Sequence, residues 1–126
     1  MAIQHSIKDS IYDAMEEIRA TKGVIECALV SRDGTLIGKS LWENVSASDF
    51  AAISASILAS AEAANNVLSL PRPSYLVAFS RDVHLLVMSA GEQMLVSATV
   101  DKKIDISPVY ERIQEITLRI GGKVES

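Results

Sequence analysis

The chain has 126 residues, 48% of them hydrophobic, and a formal charge of -4, which suits one domain with its own core and argues against disorder. Aromatics are only 5% and no Lys/Arg block interrupts the charge balance, so a general polyanion-binding role is excluded and nucleic acid is not an expected partner. Cys27 is the single cysteine, which rules out a disulfide or a thiolate metal cluster within one chain.

The opening MAIQHSIKDSIYD carries charges where a signal peptide needs its apolar run, and no stretch offers about eighteen consecutive apolar residues. A cytoplasmic protein without membrane insertion is expected. Ser6 to Thr21 reads as a first helix, with Ser6 as its cap, Asp9 in the first turn and Ile7, Ile11, Met15 and Ile18 as its apolar stripe. Lys22-Gly23 ends it. Val24 to Ser31 follows as a strand: Ile25, Cys27 and Leu29 share one side, and Val24, Glu26, Ala28 and Val30 the other. Ser31-Arg32-Asp33-Gly34 is a strong hairpin signal, because Asp-Gly supplies the positive backbone angles of a tight turn. Thr35 to Ser40 returns as the second strand. Trp42, the sole tryptophan, sits in the connection that follows and is either a plug over the sheet edge or an exposed anchor for a partner.

Ser46 to Leu70 is the organising stretch. It is long enough for about six helical turns, starts at a Ser46 or Ser48 cap and carries charge only at Asp49 and Glu62. Phe50, Ile53, Ile57, Ala61, Ala64 and Leu68 recur at three- and four-residue steps, which predicts the face that lies on the core. The rest is small and uncharged where a solvated helix carries Lys, Glu and Arg. Either the segment is simply rich in helix-favouring Ala, or its outer face packs on a second subunit.

Pro71 and Pro73 end the helical pattern. Ser74 to Ser80, Val83 to Ala90 and Met94 to Val100 are three strands in close succession, separated by Arg81-Asp82 and Gly91-Glu92-Gln93; such spacing implies an antiparallel meander. Ser107-Pro108 reads as a cap with proline at the first helical position, and the last helix runs to about Ile120, where Gly121-Gly122 stops it. Val109, Ile113, Ile116 and Ile120 form its stripe. The order is helix, two strands, helix, three strands, helix: an α+β (α/β) domain over residues 1–126, with a five-stranded antiparallel sheet covered by helices on both faces.

Little catalytic chemistry is visible. His5 and His84 are the only histidines, and His84 sits within a strand beside Leu85 and Leu86. Cys27 reads as a small core hydrophobe. Asp33 and Asp82 occupy turns, and Arg32, Lys39, Arg72 and Arg81 fit solubilising positions, with a charged partner surface as the alternative. No GxxxxGKS/T or GxGxxG motif occurs. No catalytic residue, metal or cofactor is expected.

Taken together, GVIECALVSRDGTLIGKS from Gly23 to Ser40, DFAAISASILASAEAAN from Asp49 to Asn65 and AGEQMLVSATV from Ala90 to Val100 resemble the Roadblock/LC7 family. These small regulatory and adaptor domains include dynein light chains of the roadblock type and MglB-like GTPase regulators. The resemblance covers roughly Ile7 to Ile120. It implies a middle helix on one face of the sheet and the terminal helices on the other. It also implies a homodimer built by pairing third strands edge to edge and middle helices side by side. On this chain the implied strand is Tyr75, Leu76, Val77, Ala78 and Phe79, and the implied helix contact is Ala52, Ala55, Ala59, Ser60 and Ala63. The implied function is a non-enzymatic scaffold that binds a Ras-like small GTPase; the alternative is an assembly adaptor without GTPase regulation.

Overall fold

The structure, a computed structural model, describes residues 6–124, with the side chains of 122–124 left aside; His5 lies outside the described residues. Eight elements follow the expected order: α1 (Ile7–Arg19), β1 (Val24–Ser31), β2 (Leu36–Ser40), α2 (Ala47–Val67), β3 (Tyr75–Phe79), β4 (Val83–Ala90), β5 (Met94–Asp101) and α3 (Ile106–Val124). All strand pairs are antiparallel and the sheet order is β2-β1-β5-β4-β3. The order leaves β2 and β3 at the two edges.

The Ser6 hydroxyl accepts from the Asp9 amide at 3.0 Å and caps α1. The helix closes at Arg19, and Gly23, at φ +98°, turns the chain into β1. A Cβ at Gly23 would come within 2.7 Å of the Ile104 side chain, so both conformation and space require glycine there. The buried face of α1 is Ser10, Ala14, Met15 and Ile18, with Ile11 half-buried. Ile7, expected on this face, is mostly exposed because it sits in the first turn, beyond the part covered by the sheet.

On the same side α3 buries Val109, Ile113, Ile116 and Ile120, the stripe expected from its spacing. Its boundaries differ from expectation at both ends. The helix begins at Ile106, so Pro108 is its third residue; this is tolerated because amides in the first turn have no intrahelical acceptor. It runs through Gly121 and Gly122 to Val124, since a glycine only weakens a helix unless the chain there adopts a positive φ. Together α1 and α3 cover a core of Cys27, Leu29, Leu86, Met88, Val96 and neighbouring residues.

Val24 also joins that core, against the expected alternation. The register between β1 and β5 shifts between Val24 and Glu26, and this bulge swings Val24 to the side of Cys27 and Leu29. Beyond the bulge the alternation holds: Ala28 and Val30 pack with Ala51, Ala55, Leu58, Val87 and Leu95 in a second core on the other face. The middle helix α2 covers that face alone.

At the hairpin, the Asp33 carboxylate accepts from the Ser31 hydroxyl and, at 3.1 Å, from the Thr35 amide. These bonds hold its pKa below the ordinary carboxylate value. Burial does the opposite to Cys27: its thiol, in the core with Sγ 3.9 Å from the Met15 carbonyl oxygen, is pushed up to about 12.

Candidate functional site: the outer face of α2 and the β3 edge

The side of α2 that meets the sheet is made of Ala51, Ser54, Ala55 and Leu58. Small side chains let the helix sit close, and the one buried hydroxyl pair is satisfied by Ser54 Oγ donating to Ser97 Oγ at 2.9 Å. This corrects the expected register. The stripe of Phe50, Ile53, Ile57, Ala61, Ala64 and Leu68 is turned by roughly a quarter of a revolution from the sheet-facing residues. Phe50, Ile57 and Ala61 are therefore half-buried, while Ile53 is 60% and Leu68 66% exposed.

The expected helix contact divides accordingly. Ala55 is only 7% exposed and belongs to the inner core, so it cannot reach a partner, whereas Ala52, Ala59, Ser60 and Ala63 are exposed. Ala52, Ile53, Ser56, Ile57 and Ser60 line a shallow open depression on the outer face. Ser46 occupies the cap position, but its hydroxyl donates to the Asp49 carboxylate at 2.8 Å instead of accepting from the helix.

The second charge on α2 is used internally. Glu62 accepts from Arg32 Nη1 at 2.5 Å, and Arg32 Nη2 donates to Ser89 Oγ at 2.8 Å. The latch ties the helix to the β1–β2 turn and to the end of β4. Arg32, expected at a solubilising position or on a charged partner surface, is held in place instead, and the signal for it in the sequence is a lone glutamate in an otherwise neutral stretch of helix. With Glu62 drawn inward, the outer surface beyond Asp49 carries no charge.

Gly34 marks the flank of the helix that lies against the β1–β2 turn. A Cβ there would lie 3.3 Å from Ala52 Cα, so the Ala52 flank faces the β1–β2 turn. Phe50 and Ile57 lie on the opposite flank and, with Leu76 of β3 and Leu85 of β4, pack at the margin of the inner core. The helix lies over β1, β2, β4 and β5.

β3 pairs only with β4, so its outer row of backbone donors and acceptors has no strand neighbour among the described residues. Tyr75, Leu76 and Val77 are half-buried, and Ala78 and Phe79 are exposed, Phe79 by 74%. The Tyr75 ring lies 4.5 Å from that of Tyr110 on α3, and Phe79 meets the His84 ring edge-on at 4.6 Å. His84 Nδ1 accepts from the Ser80 amide at 3.2 Å, a structural use of the imidazole.

Trp42 stands apart. Its amide donates to the buried Glu26 carboxylate at 3.0 Å, but Trp42 joins neither core and is 58% exposed. It is therefore not a plug. No cluster of three or more His, Cys, Asp or Glu placed to hold a metal occurs among the described residues, and no helix there is long and apolar enough to cross a membrane.

The fold is shared with solved structures of low sequence identity. MglB of Myxococcus xanthus superposes with a TM-score of 0.86 at 13% identity, over 99% of this chain and 95% of that one. The gliding protein MglB of Thermus thermophilus gives 0.81 at 20% identity, over 98% and 97%. A Roadblock/LC7 domain from Streptomyces avermitilis gives 0.81 at 12%, over 96% and 99%. Comparison with curated protein sequences returned no match. The Roadblock/LC7 domain model matches residues 11–98, and the chain belongs to that family.

Proposed function

We propose that the protein is a non-enzymatic homodimeric scaffold that binds a Ras-like small GTPase and biases its nucleotide cycle. The observation that carries this reading is the outer face of α2, uncharged beyond Asp49, together with the open β3 edge. An apolar surface of that kind beside an unpaired strand is a liability in a monomer and fits an interface. Two copies joined through β3, with Ala52, Ile53, Ala59, Ser60 and Ala63 on the outer faces of their α2 helices, form one extended sheet carrying two neighbouring helices as a platform. Trp42 is a further anchor for the partner, since a tryptophan held by its backbone presents a large contact area at low entropic cost.

The test measures affinity for a small GTPase loaded with GDP or with a GTP analogue. Tighter binding of one form shifts the GTPase between states; equal affinity leaves the cycle unmoved and makes the protein an assembly adaptor. Failure to bind either form while the dimer persists would overturn the GTPase reading.

A further inference from the structure

We infer that two copies pair their β3 strands about a two-fold axis through Val77, so that Phe79 of each lands on the Tyr75–Tyr110 pair of the partner subunit. The inference rests on the β3-edge dimer proposed above and adds its register and a composite aromatic site. Along β3, Tyr75 and Val77 pack on the side of α1 and α3, and Leu76 packs on the side of α2. Alternation places Phe79 with Tyr75, and Ala78 with Leu76. One end of the strand thus offers a ring already backed by Tyr110 at 4.5 Å, and the other a ring that is 74% exposed.

Parity then restricts the register. Residues directly opposite in an antiparallel pair point to the same face of the sheet. For two identical strands, one residue must therefore face itself. If that residue is Val77, Tyr75 faces Phe79 and Leu76 faces Ala78, so all five strand residues are matched and every opposed pair is apolar or aromatic. With Leu76 at the axis, Phe79 faces Pro73, which has no amide hydrogen to contribute to a ladder. With Ala78 at the axis, Tyr75 faces the exposed Arg81 and its platform stays uncovered. Of these three registers, only the one with Val77 at the axis sets Phe79 against the Tyr75–Tyr110 pair. It also fastens the dimer on the face opposite α2, so the two middle helices are held from both sides of the joined sheet.

Within one chain Tyr75 and Phe79 are four strand positions apart, about 13 Å, too far to touch, so energetic coupling between them can arise only across the dimer. Dimer dissociation constants are measured by sedimentation for Phe79→Ala, Tyr75→Leu and the double variant. Each single change is expected to weaken the dimer about tenfold, and the double change no more than either alone, because both remove the same two contacts. Multiplying effects would overturn the composite site.

Register is read independently by oxidising single-cysteine variants; Cys27 does not compete, being buried. Either type of antiparallel pair brings the two Cα atoms within disulfide range. Val77→Cys is expected to give a covalent dimer. Self-linking of Leu76→Cys or Ala78→Cys in its place would overturn the register. A dimer by mass that none of the three variants links would overturn β3 pairing, whereas a monomer at all concentrations would remove the homodimer itself.

Discussion

On one face of the sheet α1 and α3 bury Met15, Ile18, Ile113 and Ile116 and turn Glu17, Arg112 and Arg119 outward, with Arg119 Nη2 2.7 Å from Glu17 Oε2. On the other, α2 alone buries Ala51, Ser54, Ala55 and Leu58 and turns outward a surface whose last charge is Asp49. Two helices can cover a five-stranded sheet with long side chains and leave a solvated exterior. A single helix covers less: apart from Leu58 its inner residues are small and let it sit close, while Phe50, Ile53 and Ile57 lie off the sheet-facing side. Ile53 and Leu68 are left exposed there, and the proposed association rests on this face.

The comparison breaks if the two faces differ in what they contribute to folding. Leu58→Ala and Ile113→Ala each remove a side chain with no exposure, and each is expected to destabilise by about 2–5 kcal/mol in urea unfolding. Ile53→Ala, on the exposed flank of α2, should change stability of the monomer by less than about 0.5 kcal/mol. A large folding effect at Ile53, or a negligible one at Leu58, would restore the helix register that periodicity suggests.

The next effect in size concerns the latch. Arg32 and Glu62 are about three-quarters or more covered, with side chains 24% and 19% exposed, so removing one partner leaves the other poorly solvated. Arg32→Ala should lower stability by about 1–3 kcal/mol, and Arg32→Lys should recover only part of it, because an ammonium cannot hold Glu62 and Ser89 in one planar fork. An Arg32→Ala protein as stable as the parent would reduce the latch to an exposed surface pair.

Cys27 sharpens the description of the two-helix face through pH. Burial raises the thiol from 9.0 to about 12, so the unfolded chain loses this proton first. The contribution is complete below about pH 9 and is lost as pH rises toward 12, at up to about 1.4 kcal/mol per pH unit. The measurement compares urea midpoints of the parent and Cys27→Ala from pH 8 to pH 10. The parent should lose stability with pH faster than the variant; parallel curves would mean that the thiol is hydrated in the fold.

How much of this was legible in the chain depends on what each pattern encodes. The stripes of α1 and α3 could be read because charges mark the solvent side and leave the rest for the core. In α2 the apolar stripe of Phe50, Ile53 and Ile57 runs beside the sheet-facing side rather than along it, and that side could not be read, since Ser54 looks polar until Ser97 is found beside it, 43 residues away. Ala55 could not be told from Ala52 or Ala59 by type, as all are alanines on an alanine-rich helix. The β3 strand could be read from its composition, but its position at an edge depends on sheet order, which periodicity does not carry. Arg32, Glu62 and Ser89 are brought together by the packing of α2 on the sheet, so their partnership leaves no local trace.

The end of α2 gives the smallest and most local expected effect. Ser69 has φ +57°, while the Ser69 amide bonds to the Asn66 carbonyl at 3.1 Å and the Leu70 amide to the Asn65 carbonyl at 2.8 Å. This pair of bonds closes a helix through a left-handed residue, a position at which glycine is favoured because a Cβ crowds the backbone. Ser69→Gly relieves that crowding but also loosens the unfolded chain, so the net gain is smaller than the strain itself. The expected change is a stabilisation of about 0.5 kcal/mol in urea unfolding, with the dimer constant unchanged because Ser69 precedes β3 and lies off the apolar flank. A tighter or weaker dimer in Ser69→Gly would mean that the α2–β3 connection takes part in association, and the interface would then extend beyond the strand edge and the outer face of the helix.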